Sequence, residues 1–337
     1  MKELYLFSAE ERKNFFEVAA YESQKAFEII EKDYWVVWVL ERLFALPDVK
    51  SHLTFKGGTS LSKVYGVIDR FSEDIDVSIE RNFLGFDEKQ DPEKLPSRSK
   101  QKTLLENISQ KCAEYIQGPM LRALTASIAA KLGADQKWKL LIDPDDSQTL
   151  LFQFPTNSKG DGYIRPICKI EMGARAEHWP VSEWKLQSYA KKTLKEKIYE
   201  PEVSIRVLNI ERTFWEKATI LHQYAHLPED KSLPPRLSRH WYDFFRLLKS
   251  EFKEKALKEV ALLERVADHK KVYFASAWAN YDSARKGTLK LKPTERLVDE
   301  LEKDYGLMKA MFFGEIPDWK LILKTIEKFE AEFNSRK

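Results

Sequence analysis

The chain has 337 residues, of which 43% are hydrophobic and 32% are charged. This composition is typical of a folded protein, and the length is enough for two domains. The net charge of +3 is too small to indicate a nucleic-acid partner by itself, and the two cysteines have no metal-binding spacing. The charged N-terminus does not resemble a signal peptide, and no apolar run reaches the roughly 20 residues of a membrane helix. We therefore expect a cytoplasmic protein without a membrane segment.

The first 208 residues predict a mixture of helices and short strands. Ser8 and Glu11 form a capping-box pattern, which indicates a helix from there to about residue 21. Polar residues with two prolines predict a surface loop at 81–100, and the basic stretch 190–197 is expected to be mostly solvated. Helices are further predicted at 24–46, 59–67 and 103–132 (split near Gly118-Pro119), and strands at 53–55, 75–79, 138–142, 149–154, 164–172 and 203–208.

The remainder of the chain is predicted to be almost wholly helical. Prolines and glycines separate the segments and mark their ends. The chain is thus expected to be α+β, with one domain at 1–208 and a helical domain at 209–337. The predicted helices are 210–226, 235–252, 255–268, 270–285, 293–304 and 318–334.

A glycine pair follows the first predicted strand. Gly57 and Gly58 lack a Cβ and permit a tight turn in which the backbone approaches a ligand closely. Thr59 and Ser60 then begin a helix, whose free N–H groups and hydroxyls suit a phosphate. The pattern is neither a Walker A loop nor a dinucleotide fingerprint, since GKS/T and GxGxxG are missing. The alternative is a plain turn.

Two acids accompany the next predicted strand. Asp74 and Asp76 are two residues apart, so their side chains point to the same side of that strand. Adjacent carboxylates repel each other unless a cation lies between them, and Mg²⁺ prefers such oxygen ligands together with phosphate oxygens. A solvated edge strand is the alternative for an isolated Asp-x-Asp. The ordered combination of strand, Gly-Gly-Thr-Ser, helix and Asp-x-Asp favours a nucleotide and metal site.

The same stretch, FKGGTSLSKVYG followed by RFSEDIDVSI, resembles the signature of the DNA polymerase β-type nucleotidyltransferase superfamily. It resembles more specifically the AbiEii/AbiGii family of nucleotidyltransferase toxins, the toxin halves of type IV toxin–antitoxin systems. The motifs Glu31–Trp35, Glu211–Lys217 and Arg239–Asp243 match further parts of that family, so the resemblance covers roughly residues 24–250. It implies a nucleotidyltransferase fold, with a small mixed sheet flanked by helices, followed by a helical domain.

A site of this type needs a third carboxylate from a neighbouring strand. Glu171 is the candidate as third metal ligand and as base for the acceptor hydroxyl, and the resemblance implies an acid on this strand. Lys169 points to the same side and could contact a phosphate. Alternatively, both residues form a solvated face of the strand.

The resemblance also assigns Lys217 and Asp243 to the active site. Each has an alternative: Lys217 could extend to solvent from its helix, and Asp243 could pair with a cation such as Lys217 or Arg239. Lys32 and Asp33 are interpreted as a helix-surface pair, although the match suggests that their helix packs close to the site. His222 and His226 have the i, i+4 spacing of a zinc pair, but the glutamate of HExxH is absent, which disfavours zinc.

The expected activity is transfer of a nucleotide from an NTP to an acceptor hydroxyl, with release of pyrophosphate. We expect Mg²⁺ or Mn²⁺ at Asp74, Asp76 and Glu171, and NTP phosphates at Gly57, Gly58, Thr59, Ser60 and Lys169. The resemblance implies a phage-defence or toxin–antitoxin role, a cognate antitoxin, and the 3′ end of tRNA as the leading acceptor. The alternatives are modification of a protein hydroxyl by nucleotidyl or phosphoryl transfer, and a catalytically silent nucleotide-binding module.

Overall fold

The computed structural model describes residues 2–133, 137–156 and 164–335. Twelve α-helices and seven strands lie within these ranges. No helix there combines the length and the apolar character that crossing a bilayer requires. The helices are α1 Ala9–Ser23, α2 Phe27–Phe44, α3 Gly57–Lys63, α4 Arg98–Tyr115, α5 Leu121–Leu132, α6 Tyr189–Leu194, α7 Ile210–Tyr224, α8 Arg239–Lys249, α9 Phe252–Lys258, α10 Ala261–Tyr273, α11 Glu295–Leu307 and α12 Trp319–Ser335.

All seven strands form one mixed sheet, in the order β3-β4-β5-β2-β1-β7-β6. Strand β2 pairs antiparallel with β1 and parallel with β5, and β1 also pairs parallel with β7. The predicted α+β class with a mixed sheet is therefore confirmed. The strands are β1 Leu53–Lys56, β2 Ile75–Ile79, β3 Lys139–Asp143, β4 Asp146–Gln153, β5 Ile167–Gly173, β6 Val181–Leu186 and β7 Val203–Leu208.

The described residues divide into two compact units. The first contains the sheet and the helices around it, and the second contains most of the C-terminal helices. Two short segments from the N-terminal half also belong to the second unit. The first unit comprises Met1–Val64, Ser72–Asp91 and Thr103–Val207, and the second comprises Tyr65–Phe71, Pro92–Lys102 and Leu208–Lys337.

Helix α2 is the central helix of the first unit. All but three of its eighteen residues are buried, including the charged Glu31, Lys32 and Asp33. Trp35 stacks on Phe154, the residue after β4, with ring centroids 5.7 Å apart. A helix that is apolar on nearly every side must be enclosed by the fold, so its few charged side chains need internal partners.

Several local predictions are confirmed by the structure. Ser8 caps α1 and forms the predicted capping box with Glu11. Strand β2 spans the predicted residues, and the two strands predicted at 138–142 and 149–154 are β3 and β4, which pair as a hairpin around residues 143–146. The predicted break near Gly118-Pro119 is a π-helical turn at Ile116–Met120, where Pro119 cannot donate to the helical ladder.

Other local predictions differ from the structure in part. The basic stretch 190–197 is mostly exposed or half-buried, as predicted, but α6 extends into it from Tyr189 and buries Ala190 and Leu194. The predicted helix at 270–285 ends with α10 at Tyr273, and Asn280 adopts a left-handed conformation that no helix interior tolerates. The predicted loop at 81–100 is shortened, because α4 begins at Arg98. Strand β6 is not predicted, since its mostly exposed sequence VSEWKL lacks a clear apolar alternation.

Candidate active site

The turn between β1 and α3 is formed by Gly57, whose φ of +80° lies in the region that favours glycine. A Cβ built on Gly57 would lie 2.0 Å from Oδ2 and 2.7 Å from Cγ of Asp76. The carboxylate of Asp76 thus occupies the space that any other residue at position 57 would fill. Both the backbone conformation and the side-chain contact require a glycine here.

The predicted acid on β5 lies directly beside Asp76. In the parallel register of β2 and β5, Asp76 pairs with Glu171. Paired residues on neighbouring strands point to the same face of a sheet, so the two carboxylates share a face. The alternation of β5 agrees, because Cys168, Ile170 and Met172 are buried and Glu171 is half-buried. Asp74 precedes β2 by one residue, two positions before Asp76.

A lysine accompanies this acid pair. Lys169 Nζ lies 2.8 Å from Glu171 Oε1 and 3.9 Å from Asp143 Oδ2. The hydrogen bond to Glu171 raises the pKa of Lys169, so its ammonium stays charged at neutral pH. Lys169 and Glu171 therefore share one face as predicted, and each side chain keeps 38% of its surface exposed. Lys56 adds a second cationic residue, since it pairs with Asp76 in the register of β1 and β2.

The donor set fits a divalent metal ion bound together with phosphates. Among the described residues, no group of three or more His, Cys, Asp or Glu side chains is arranged to hold a metal. Mg²⁺ usually takes one or two protein carboxylates, with water and substrate phosphate oxygens as its other ligands. The paired carboxylates of Asp76 and Glu171 match this requirement.

The hydroxyl groups of α3 have partners within the protein. Thr59 is fully buried, and its Oγ1 donates to the backbone carbonyl of Asp74. It also lies 3.0 Å from Ser72 Oγ. Ser60 is likewise buried and donates to the carbonyl of Gly57 at 2.8 Å. The Thr59 hydroxyl thus connects the start of α3 to the segment that carries Asp74, whereas the Ser60 hydroxyl bonds within the first turn of α3.

The interpretation of Lys32 and Asp33 as a helix-surface pair is wrong. Lys32 is 4% exposed and Asp33 is 2% exposed. Lys32 forms an ion pair with Glu73, and Asp33 forms one with Lys63 at the end of α3. The sequence offered a signal, because these charges interrupt an otherwise apolar helix and must therefore be paired.

In the second unit, Asp243 is fully buried and bound by two cations. It accepts hydrogen bonds from Arg70 Nε at 2.7 Å, from Arg70 Nη2 at 2.8 Å, and from Lys217 Nζ at 2.7 Å. Burial alone would raise the pKa of Asp243, but Arg70 and Lys217 outweigh it and hold the pKa well below its usual range. The predicted pairing with Lys217 is present, whereas Arg70 takes the position considered for Arg239.

Lys217 is 6% exposed and does not extend to solvent from α7. Burial lowers its pKa, and the neighbouring Asp243 opposes that effect. Its Nζ also lies 3.1 Å from His240 Nδ1, which must act as the acceptor because an ammonium group only donates. Burial and the charge of Lys217 lower the pKa of His240 well below its usual value, so this imidazole is neutral.

The pair His222 and His226 has structural partners. His222 Nε2 lies 3.0 Å from the carbonyl of Asn280, and its Nδ1 accepts from the backbone N–H of Lys290 at 3.0 Å. His226 Nδ1 donates to the carbonyl of His222 at 2.8 Å. These rings join α7 to the segment that follows α10.

Comparisons with known proteins identify the family to which the chain belongs. One similar solved structure is that of MenT4, a nucleotidyltransferase toxin from Mycobacterium tuberculosis. It is 15% identical to this chain with a TM-score of 0.45, and the alignment covers 94% of this chain and 96% of MenT4. JHP933 from Helicobacter pylori is 15% identical with a TM-score of 0.30, at 88% and 92% coverage. No curated protein matches the chain. The profile of the family described as "Nucleotidyl transferase AbiEii toxin, Type IV TA system" matches residues 38–331. Because this match spans most of the chain, the protein belongs to the AbiEii family of nucleotidyltransferase toxins of type IV toxin–antitoxin systems.

Proposed function

We propose that this toxin is a Mg²⁺-dependent enzyme that transfers a nucleotide from an NTP to the 3′-terminal hydroxyl of tRNA. The observation that carries the proposal is the pairing of Asp76 with Glu171 on one sheet face, beside a glycine that accommodates the Asp76 carboxylate. Membership of a nucleotidyltransferase toxin family supplies the reaction class, the NTP substrate and an antitoxin partner.

The reaction is an in-line displacement at the α-phosphorus. The acceptor oxygen forms a bond to this phosphorus, the bond to the bridging oxygen of pyrophosphate breaks, and the hydroxyl proton passes to Glu171. Bound Mg²⁺ supplies charge neutralisation at the phosphates and increases the acidity of the acceptor hydroxyl. Asp74, Asp76 and Glu171 are the residues that would hold the metal, while Lys169 moves from Glu171 to a phosphate oxygen.

The glycine turn serves the triphosphate in this proposal. Gly57 and Gly58 allow the phosphates to approach the backbone, whose N–H groups in the first turn of α3 donate to phosphate oxygens. The hydroxyls of Thr59 and Ser60 already bind backbone carbonyls. Their contribution is therefore to hold the turn in place, with contact to the phosphates through their N–H groups.

Lys217 and Asp243 are proposed to act as a unit. The two hydrogen bonds from Arg70 and the one from Lys217 occupy the Asp243 carboxylate and keep it ionised. Such a carboxylate is a poor proton acceptor at neutral pH, so its proposed role is to orient Lys217. The ammonium of Lys217 is the group of this pair that would neutralise substrate charge.

Basic and aromatic side chains support an RNA acceptor. Trp179 and Trp184 are 62% and 38% exposed, and Lys185, Lys191 and Lys195 follow them closely in sequence. Lysines neutralise RNA phosphates, and exposed aromatic rings stack on unpaired bases such as those of a tRNA 3′ end. We also propose a cytoplasmic location, where tRNA and NTPs are available and where the buried thiols of Cys112 and Cys168 stay reduced.

The test is incubation of the purified protein with α-labelled NTPs, total tRNA and cell protein. We expect the label on tRNA, and we expect it to require Mg²⁺ and to disappear in D76N. The matched control is D145N, which removes one carboxylate from the exposed β3–β4 turn. Label on protein and not on RNA would refute the tRNA acceptor. Full activity of D76N, or full activity with a metal chelator present, would refute the proposed site.

A further inference from the structure

Helix α2 carries two adjacent charges of opposite sign inside the fold, Lys32 and Asp33. Successive residues of an α-helix point about 100° apart, so these side chains reach different neighbours. Their partners lie on the two segments that flank the candidate site in sequence. One partner is next to Asp74, and the other ends the helix that begins with Gly57.

Lys32 reaches the segment before β2. Its Nζ pairs with Glu73 Oε2, and the two side chains are 5% and 18% exposed. Glu73 is the residue immediately before Asp74. The ion pair therefore fixes the backbone from which the first predicted metal ligand extends.

Asp33 reaches the other segment. It pairs with Lys63, and the two side chains are 2% and 3% exposed. Asp33 Oδ2 also accepts from the backbone N–H of Tyr189 at 2.6 Å, and Lys63 Nζ lies 3.6 Å from the centroid of the Tyr189 ring. The C-terminal end of α3 is thus held by the charge of Asp33 and by the Tyr189 ring, and a hydrogen bond joins Tyr189 to Asp33.

A third contact joins the two segments to each other. Thr59, in the first turn of α3, donates to the carbonyl of Asp74 and lies 3.0 Å from Ser72 Oγ. The contacts close a circuit from Lys32 through Glu73 to Thr59 and Lys63, and back to Asp33 on α2. Asp74 lies on this circuit, and Gly57 lies two residues before Thr59, where the circuit enters α3.

We infer that Lys32, Asp33, Lys63 and Glu73, together called the α2 anchor, are positioning residues that set the distance between the Gly57 turn and the Asp74–Asp76 carboxylates. Replacing a buried ion pair with apolar side chains of similar volume often costs no stability, so stability alone does not require these charges. Hydrogen-bonded charges instead prescribe one geometry, which a site for metal and phosphates needs. The inference rests on the proposed function of this site.

The experiment compares the full-length variants E73Q, K32M and D33N with K111M, which removes a lysine from the exposed Lys111–Glu114 pair of α4. Nucleotide transfer is measured well below the unfolding temperature, and Mn²⁺ binding without NTP is followed by electron paramagnetic resonance. We expect kcat to fall on the order of 10- to 100-fold in the three anchor variants, with weaker Mn²⁺ binding, and no change in K111M.

The charge-exchanged double variant K32E/E73K supplies the second arm. It restores opposite charges across the same contact, so we expect part of the kcat and of the Mn²⁺ affinity to return. E73Q keeps the volume of the side chain at a partly exposed position, so we expect it to fold even if K32M does not. In that case E73Q tests whether the Lys32–Glu73 ion pair positions the site. Wild-type kcat and wild-type Mn²⁺ affinity in both E73Q and D33N would overturn the inference, even if their unfolding temperatures fell. Activity in D76N would instead refute the site itself.

Discussion

Replacing Gly57 with alanine is the sharpest structural test of the candidate site. The new Cβ would lie 2.0 Å from Asp76 Oδ2, whereas real Cβ atoms essentially never approach another heavy atom within 3.0 Å. The carboxylate must therefore move by about 1 Å or more, or the turn must open. A misplacement of about 1 Å can reduce turnover by roughly 100-fold, which corresponds to about 2.7 kcal/mol of transition-state stabilisation.

The substitution also strains the backbone, because alanine in a left-handed conformation costs about 1–2 kcal/mol. Gly66 provides the matched control. Its φ of +60° imposes a similar strain on alanine, but no heavy atom of the described residues, apart from Gly66 and its chain neighbours, lies within 4 Å of the added Cβ. We expect G66A to lower the unfolding temperature and to retain turnover per folded molecule.

The assay is the transfer of label from an α-labelled NTP, corrected for the folded fraction by circular dichroism. We expect G57A to lose about 100-fold in kcat relative to G66A. Equal turnover in the two variants would refute the argument, because the position of the Asp76 carboxylate would then not limit the reaction.

Three further predictions concern stability. D243N leaves the buried cations Arg70 and Lys217 without their carboxylate, so we expect the free energy of unfolding to fall by about 3–5 kcal/mol in chemical denaturation; a loss below 1 kcal/mol would contradict a buried ionic cluster. Burial raises the pKa of Glu31 to about 7, so the fold favours its protonated form. The protonated Glu31 therefore contributes its full share to the free energy of unfolding below the unfolded pKa of about 4.5, and this share is lost as the pH rises to about 7. E31Q should remove this decrease in stability between about pH 4.5 and 7. An unchanged dependence of stability on pH in E31Q would contradict the role of Glu31. S8A removes the N-cap of α1 and should cost about 1 kcal/mol in thermal unfolding, whereas no loss would indicate that α1 does not need its cap.

Local patterns were sufficient to predict much of the sheet side of the site. A period of two places Asp76 and Glu171 on the polar sides of their strands, and the burial of β2 and β5 agrees. The direct pairing of these residues was not predictable, because register between distant strands depends on tertiary packing. The catalytic and binding roles of the site residues, and the domain boundary at 208/209, stay predictions.

The ionic partners were the least predictable part. Asp243 was expected to pair with Lys217 or Arg239, yet its bidentate partner is Arg70, 173 residues away in the chain. For Lys32 and Asp33, the sequence offers a helix-surface pair, although the family match suggests that their helix packs close to the site. A short stretch of sequence does not show that the rest of the fold encloses α2 on nearly all sides. This enclosure forces Lys32 and Asp33 to form ion pairs inside the protein.

The reciprocal charges of α2 have an evolutionary consequence. A mutation of Lys32 leaves Glu73 without its cation, and a mutation of Asp33 leaves a buried lysine without its anion. Single replacements should therefore be eliminated by selection, and tolerated replacements should arise as compensating pairs. Among homologues, positions 32 and 73 are expected to covary, as are positions 33 and 63, each independently of the other.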